Sequence, residues 1–175
     1  MSTNGVPTRN LRTCGGFSLL TLLLVLASLA FLAGIVLPTA EGRGARDRDA
    51  QRLMDVQALV TAIEAFAQDR GKLPLPAEER GHAGWDTTLD GDFLAPLIDG
   101  GYLSETLLDP LNDELHHYRY YAYPKGYDGF PAEFYVVGVR GLESEEFQLR
   151  RRSWKGNQRD WGQEFDYVVG GLLGR

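Results

Sequence analysis

Residues 17–37 read Phe-Ser-Leu-Leu-Thr-Leu-Leu-Leu-Val-Leu-Ala-Ser-Leu-Ala-Phe-Leu-Ala-Gly-Ile-Val-Leu, twenty-one positions without a charged side chain. No other stretch restricts the fold as strongly. As a helix it spans roughly 31 Å at ~1.5 Å per residue, close to the ~30 Å hydrocarbon core of a bilayer. A helix satisfies its backbone polar groups internally, which makes it the cheap conformation in lipid. The competing environment is a protein interior. A chain of 175 residues has room for one modest domain, with no second layer able to cover such a helix on every side. The sequence therefore predicts a membrane-spanning helix over 17–38, closed by Pro38.

The flanks of the run are unusual. Gly15-Gly16 stand directly before it, in a leader that carries Arg9 and Arg12 and no acid. A secretory signal peptide places its small-residue cleavage site after the apolar stretch, and here the order is reversed. The sole cysteine, Cys14, also precedes the run, whereas a lipoprotein cysteine follows one. Orientation is not set by charge. Arg9 and Arg12 face Arg43, Arg46, Arg48 and Arg52 across the run, so a bare positive-inside count leans mildly toward an outward N-terminus.

Gly16, Phe17, the apolar helix and Pro38 together resemble the class III signal of type IV prepilins and type II secretion pseudopilins, of the G type in particular. The resemblance implies cleavage between Gly16 and Phe17 by a prepilin peptidase and N-methylation of the new terminal Phe17. Pro38 then becomes the twenty-second mature residue, where family members carry a helix-kinking proline. It also implies a cytoplasmic N-terminus, an inner-membrane anchor in lipid before assembly, and other pilin or pseudopilin subunits as filament partners. One position departs from the pattern. The fifth mature residue is usually Glu, thought to pair with a neighbour's terminal amine, and here it is Thr21. A mid-membrane carboxylate costs about 2.5–3.5 kcal/mol on insertion and so normally marks function. Thr21 avoids that cost and cannot form the ion pair, a pattern suited to a minor or tip subunit.

Beyond the run, Leu53, Val56, Val60, Ile63 and Ala67 recur at helical spacing, with Leu59 and Phe66 widening the stripe. Charged residues are expected on the other side. Gly42 and Gly44 mark an expected weak point, and Gly71, followed by Pro74 and Pro76, an expected stop. The Asp69-Arg-Gly-Lys-Leu-Pro74 ending resembles the turn into the head of the same family.

The predicted organisation is a leader (1–16), a transmembrane or filament-core helix (17–38), its amphipathic continuation (39–72) and a globular head (73–175). The fold class expected is α+β and pilin-like: a long N-terminal helix packed on a small antiparallel sheet. In the head, Phe93, Leu94, Leu97 and Ile98 suggest a short helix. Residues 118–123 and 134–140 are rich in β-formers and read as a hairpin. A third strand is placed around residues 165–169, and the glycine-rich end, 170–175, is expected to fray.

Net charge is −6, and −8 for a mature chain without Arg9 and Arg12 (16 − 24). That acidity disfavours nucleic acid as a partner. Two acidic groups, Asp86/Asp90/Asp92 and Asp109/Asn112/Asp113, offer the oxygen ligands Ca2+ prefers, although turn and capping roles are the commoner use of Asp. His116 and His117 are adjacent, so as strand residues they would face opposite sides and not chelate together. No nucleophile–base motif, P-loop or dinucleotide fingerprint occurs, and the sequence suggests no enzyme. A rival reading is a single-pass, signal-anchored periplasmic protein unrelated to filaments.

Overall fold

The computed structural model describes residues 18–75, 84–149 and 152–174, and within them the side chains of all but residues 34–41. The chain divides between Ala40 and Glu41 into two units. Helix α1, Leu19–Arg70, enters both, and each is described separately.

In the first unit the described residues from Leu19 on form the start of α1, and the side chains of residues 18–33 are all exposed. The second unit is α+β. Its elements are the remainder of α1, β1 (Asp86–Thr87), α2 (Ala95–Asp99), β2 (Tyr118–Tyr123), β3 (Phe134–Val139), α3 (Glu145–Gln148) and β4 (Tyr167–Leu172). The four strands form one antiparallel sheet in the order β1-β2-β3-β4.

The helical stripe becomes one wall of the main core. Val56, Leu59, Val60, Ala62, Ile63 and Phe66 of α1 are buried against Tyr118, Tyr120, Tyr135, Val137 and Val139, with Phe93, Leu94 and Leu97 closing one side. Alternation along the strands selects this face, since every second residue of β2 and β3 points to α1. Gly42 and Gly44 both lie within α1. The helix stops where expected: Gly71 takes φ 67° and its N–H donates to the Ala67 carbonyl at 2.9 Å. A left-handed glycine satisfies a terminal carbonyl without the cost of a Cβ.

The opposite face of the sheet carries a second core. Tyr123, Phe134, Val136 and Val168 meet Trp85, Trp161 and Phe165, with Phe130 and Trp154 at the edge. The rings pack in stacked, tilted and edge-on pairs; Tyr123 stacks on Phe134 at 4.7 Å and meets Trp161 edge-on at 5.4 Å between centroids. Trp161 is fully buried and its indole N–H donates to the Tyr123 hydroxyl at 3.1 Å. Arg159 caps this layer. Its guanidinium lies 5.2 Å from the Trp161 ring centroid and pairs with Glu164 at 2.7 Å.

Three expectations need correction. The glycine-rich end does not fray, because Gly170, Gly171 and Leu172 pair with Val136, Tyr135 and Phe134. The two glycines fit there for steric reasons: a Cβ at Gly170 would lie 2.4 Å from the Trp154 ring and one at Gly171 2.5 Å from Tyr135. His116 and His117 precede β2 rather than lying in it. The charged side of α1 is not wholly solvated, since Asp49 and Arg52 are fully buried.

Candidate functional site: an apolar helix and a buried ion cluster

Two features of α1 stand out, one in each unit. In the first unit Leu22, Leu23, Leu24, Val25 and Leu26 are 48–63% exposed. Successive residues are about 100° apart around a helix, so these five alone cover its whole circumference. Leu19, Leu20, Leu29, Phe31 and Leu32 extend the exposed apolar surface. Polar atoms here are few, and one is satisfied locally, with Ser28 Oγ donating to the Val25 carbonyl at 2.9 Å. Thr21 is on α1 and exposed. Pro38 falls within α1, its side chain outside the described residues, as are Gly16 and Phe17 altogether. Among the described residues, no helix is long and apolar enough to cross a membrane.

In the second unit, the N-terminal part of α1 holds the ion cluster. Arg52 points inward and meets three carboxylates: Asp49 at 2.7 Å, Asp109 at 2.7 and 3.1 Å, and Glu143 at 2.7 Å. Asp49, one turn earlier on the same helix face, also accepts from the Glu143 and Ser144 backbone N–H groups and from Ser144 Oγ at 2.8 Å. Arg48 pairs with Glu143 through two nitrogens, and Arg46 pairs with Glu146. The cluster thus clamps two loops onto α1, the one before β2 through Asp109 and the one after β3 through Glu143 and Ser144.

The electrostatics follow from this geometry. Burial alone would lower the Arg52 pKa, but the bonds to Asp109, Glu143 and Asp49 outweigh it and raise it. Hydrogen bonding from Arg48, supported by Arg52, holds Glu143 down at about 2. Asp55, one turn further along, is pushed up by desolvation, partly offset by the Tyr118 hydroxyl that donates to it at 2.8 Å.

The residues named as calcium candidates are distributed through turns. Asp86 is buried in β1 and accepts from the Leu94 N–H at 2.9 Å, fixing Leu94 at φ 50° before α2. Asp90 accepts from the Thr87 hydroxyl at 2.8 Å, and the Asp92 carbonyl accepts from the Ala95 N–H. Asp109 serves Arg52 and the Leu111 N–H, Asn112 donates to the Thr88 carbonyl, and Asp113 caps Leu115 and His116. Among the described residues no group of three or more His, Cys, Asp or Glu side chains could hold a metal ion. His116 bonds to the Asp113 carboxylate, while buried His117 lies between the Asp113 carbonyl and the Arg119 guanidinium.

Sequence reasoning missed the ion cluster although its signal was present. Asp49 and Arg52 are each seven residues before a stripe position, Val56 and Leu59, so they share its inward phase. The charges hid the continuation.

Comparison of the chain with protein-family models, with curated proteins and with solved structures finds no match.

Proposed function

We propose that the chain is a structural subunit of a type IV filament-superfamily assembly, of the type II secretion pseudopilin kind, working in protein secretion. The observation that carries the reading is the pairing of two dissimilar parts of one helix. Its first part is apolar on all sides and exposed in the isolated chain. Its second part is striped and buried on an antiparallel sheet. A helix apolar on all sides calls for an apolar cover, and lipid before assembly and neighbouring helices after it are covers of the right chemistry. The Gly16-Phe17 junction supplies the processing signal that distinguishes a filament subunit from a plain anchor. In this reading the head lies on the periplasmic side, and the protein performs no catalysis.

Thr21 favours a second placement within the same class, a minor or tip subunit. A subunit with no preceding neighbour has no terminal amine to capture, so an uncharged fifth residue costs it nothing.

Cross-linking tests the assembly. The mature chain would contain no cysteine, so Leu26→Cys introduces a single thiol on the exposed helix. Mild oxidation in membranes of a host with an active prepilin peptidase should yield chain–chain or chain–subunit adducts. Their absence there, with Leu26→Cys fully expressed, would contradict the proposal.

A further inference from the structure

Tyr121 and Tyr123 stand two residues apart on β2 and so share one face of the sheet, the face turned away from α1. Trp85 packs 5.5 Å from Tyr121, and Tyr127 lies 4.6 Å from Tyr123, between ring centroids. These four rings, with Pro124 and Arg159, line a recess of about 410 Å³, a size typical of ligand pockets. Trp85 and Tyr123 are buried, Tyr121 is half-buried, and Pro124 and Tyr127 are exposed, so the recess opens to solvent.

The lining is rich in unspent hydrogen-bond donors. Trp85 is 6% exposed, and its indole N–H finds no acceptor among the described residues. The Tyr121 hydroxyl has no partner there either. The Tyr127 hydroxyl accepts from Arg159 at 3.2 Å and the Tyr123 hydroxyl from Trp161 at 3.1 Å, which leaves each with a proton to give. Charge, by contrast, is spent: both oxygens of Glu164 accept from the Arg159 guanidinium, at 2.7 and 2.8 Å.

A matching ligand presents apolar rings and carbonyl acceptors, brings few donors and carries no charge. A cation fits poorly, because Arg159 already stands 5.2–6.0 Å from the ring centroids of Trp85, Tyr123 and Trp161. An anion would have to draw Arg159 away from Glu164. A sugar brings a donor with every hydroxyl, and the carboxylate that would receive it, Glu164, is engaged. Proline meets the requirement. Its ring is apolar, it has no N–H, and a polyproline II chain leaves its carbonyls unpaired and turned outward.

We propose that this recess binds a proline-rich segment of a partner polypeptide in the polyproline II conformation. Proline rings would pack on Tyr121, Tyr123 and Tyr127, and the segment's carbonyls would accept from the Trp85 indole and the Tyr121 hydroxyl. A second hollow of about 360 Å³, lined by Tyr127, Asp128, Gln158 and Arg159, adjoins the first across Tyr127 and Arg159 and gives an extended chain room to continue. Every residue involved belongs to the second unit, so the proposal stands independently of the filament reading.

The test titrates the full chain, in detergent micelles, with decaproline and follows the indole N–H resonance of Trp85 by NMR. A ten-residue glycine–serine peptide and maltohexaose serve as controls. Decaproline should move the resonance saturably, and neither control should. Tyr121→Phe removes a hydroxyl that bonds to none of the described residues, so it should raise the Kd for decaproline at least threefold while leaving Tm unchanged. Tyr127→Ala, at an exposed position, should raise the Kd at least fivefold. The absence of a saturable shift with decaproline would overturn the proposal. An equal shift with maltohexaose would also overturn it and assign the recess to a saccharide. Unchanged affinity in both variants would place the peptide elsewhere on the chain and refute the assignment as well.

Discussion

Replacing Arg52 with Met should be among the most destabilising single changes in the head. The side chain is fully buried and its guanidinium contacts Asp49, Asp109 and Glu143 at 2.7–3.1 Å. Met keeps much of the volume and removes the charge, leaving the fully buried carboxylates of Asp49 and Asp109 without their cation. Asp49 would retain its bonds from Glu143 and Ser144, and Asp109 its bond from the Leu111 N–H. Those dipoles do not neutralise two charges. Removing one partner of a buried ion pair costs about 3–5 kcal/mol, whereas replacing the whole set by neutral groups is often close to neutral. For a head of this size the loss corresponds to roughly 10–20 °C in Tm. Urea unfolding of the full chain in mild detergent measures it, followed by tryptophan fluorescence, because Trp85, Trp154 and Trp161 all belong to the aromatic layer of the head. The triple variant Arg52→Met/Asp49→Asn/Asp109→Asn should recover at least half of the loss. If Arg52→Met unfolds within about 1 kcal/mol of the parent, the cluster is not the clamp described, and the loops are held by apolar packing alone.

Acid should weaken the same clamp. Glu143 is held at about 2, below its unfolded value of 4.5, so its contribution is complete above pH 4.5 and is lost as pH falls toward 2. Glu143→Gln should lower stability at neutral pH and flatten that acid limb in a pH series of urea midpoints. Asp55 works in the opposite sense: its raised pKa means the folded chain gains protons there first, so its penalty shrinks as pH falls. Asp55→Asn keeps an acceptor for Tyr118 and should leave neutral-pH stability unchanged or improve it by up to about 1 kcal/mol. Gly171→Ala places a methyl 2.5 Å from the Tyr135 ring and should cost about 1–3 kcal/mol. Were the end of the chain frayed, the same substitution would be silent in a thermal melt.

Legibility in the sequence followed the range of the interactions. The stripe Val56–Phe66, the stop at Gly71 and the strands from Tyr118 and Phe134 rest on local periodicity and turn chemistry, and all appear. β1 could not be read, because two residues, Asp86 and Thr87, are a strand only by virtue of Tyr120 and Arg119 opposite them. Gly170 and Gly171 look like a frayed end until Trp154 and Tyr135, far away in sequence, are seen to need the space above them. The second core had no periodic signature either, since Trp85 and Phe165 lie outside the helices and named strands and Trp161 opens a single 3-10 turn. Of the ion cluster, the phase of Asp49 and Arg52 was readable, while their partners Asp109 and Glu143 lie 57 and 91 residues from Arg52 and were not.

The central claim concerns the N-terminus of the mature protein. Intact mass and N-terminal peptide mapping of native protein extracted from membranes measure it directly. Processing as a filament subunit predicts a chain that begins at Phe17, with or without a methyl group; an unmethylated Phe17 would trace to Thr21. A chain that begins at Met1 in a host with an active prepilin peptidase would contradict the account and leave a signal-anchored protein.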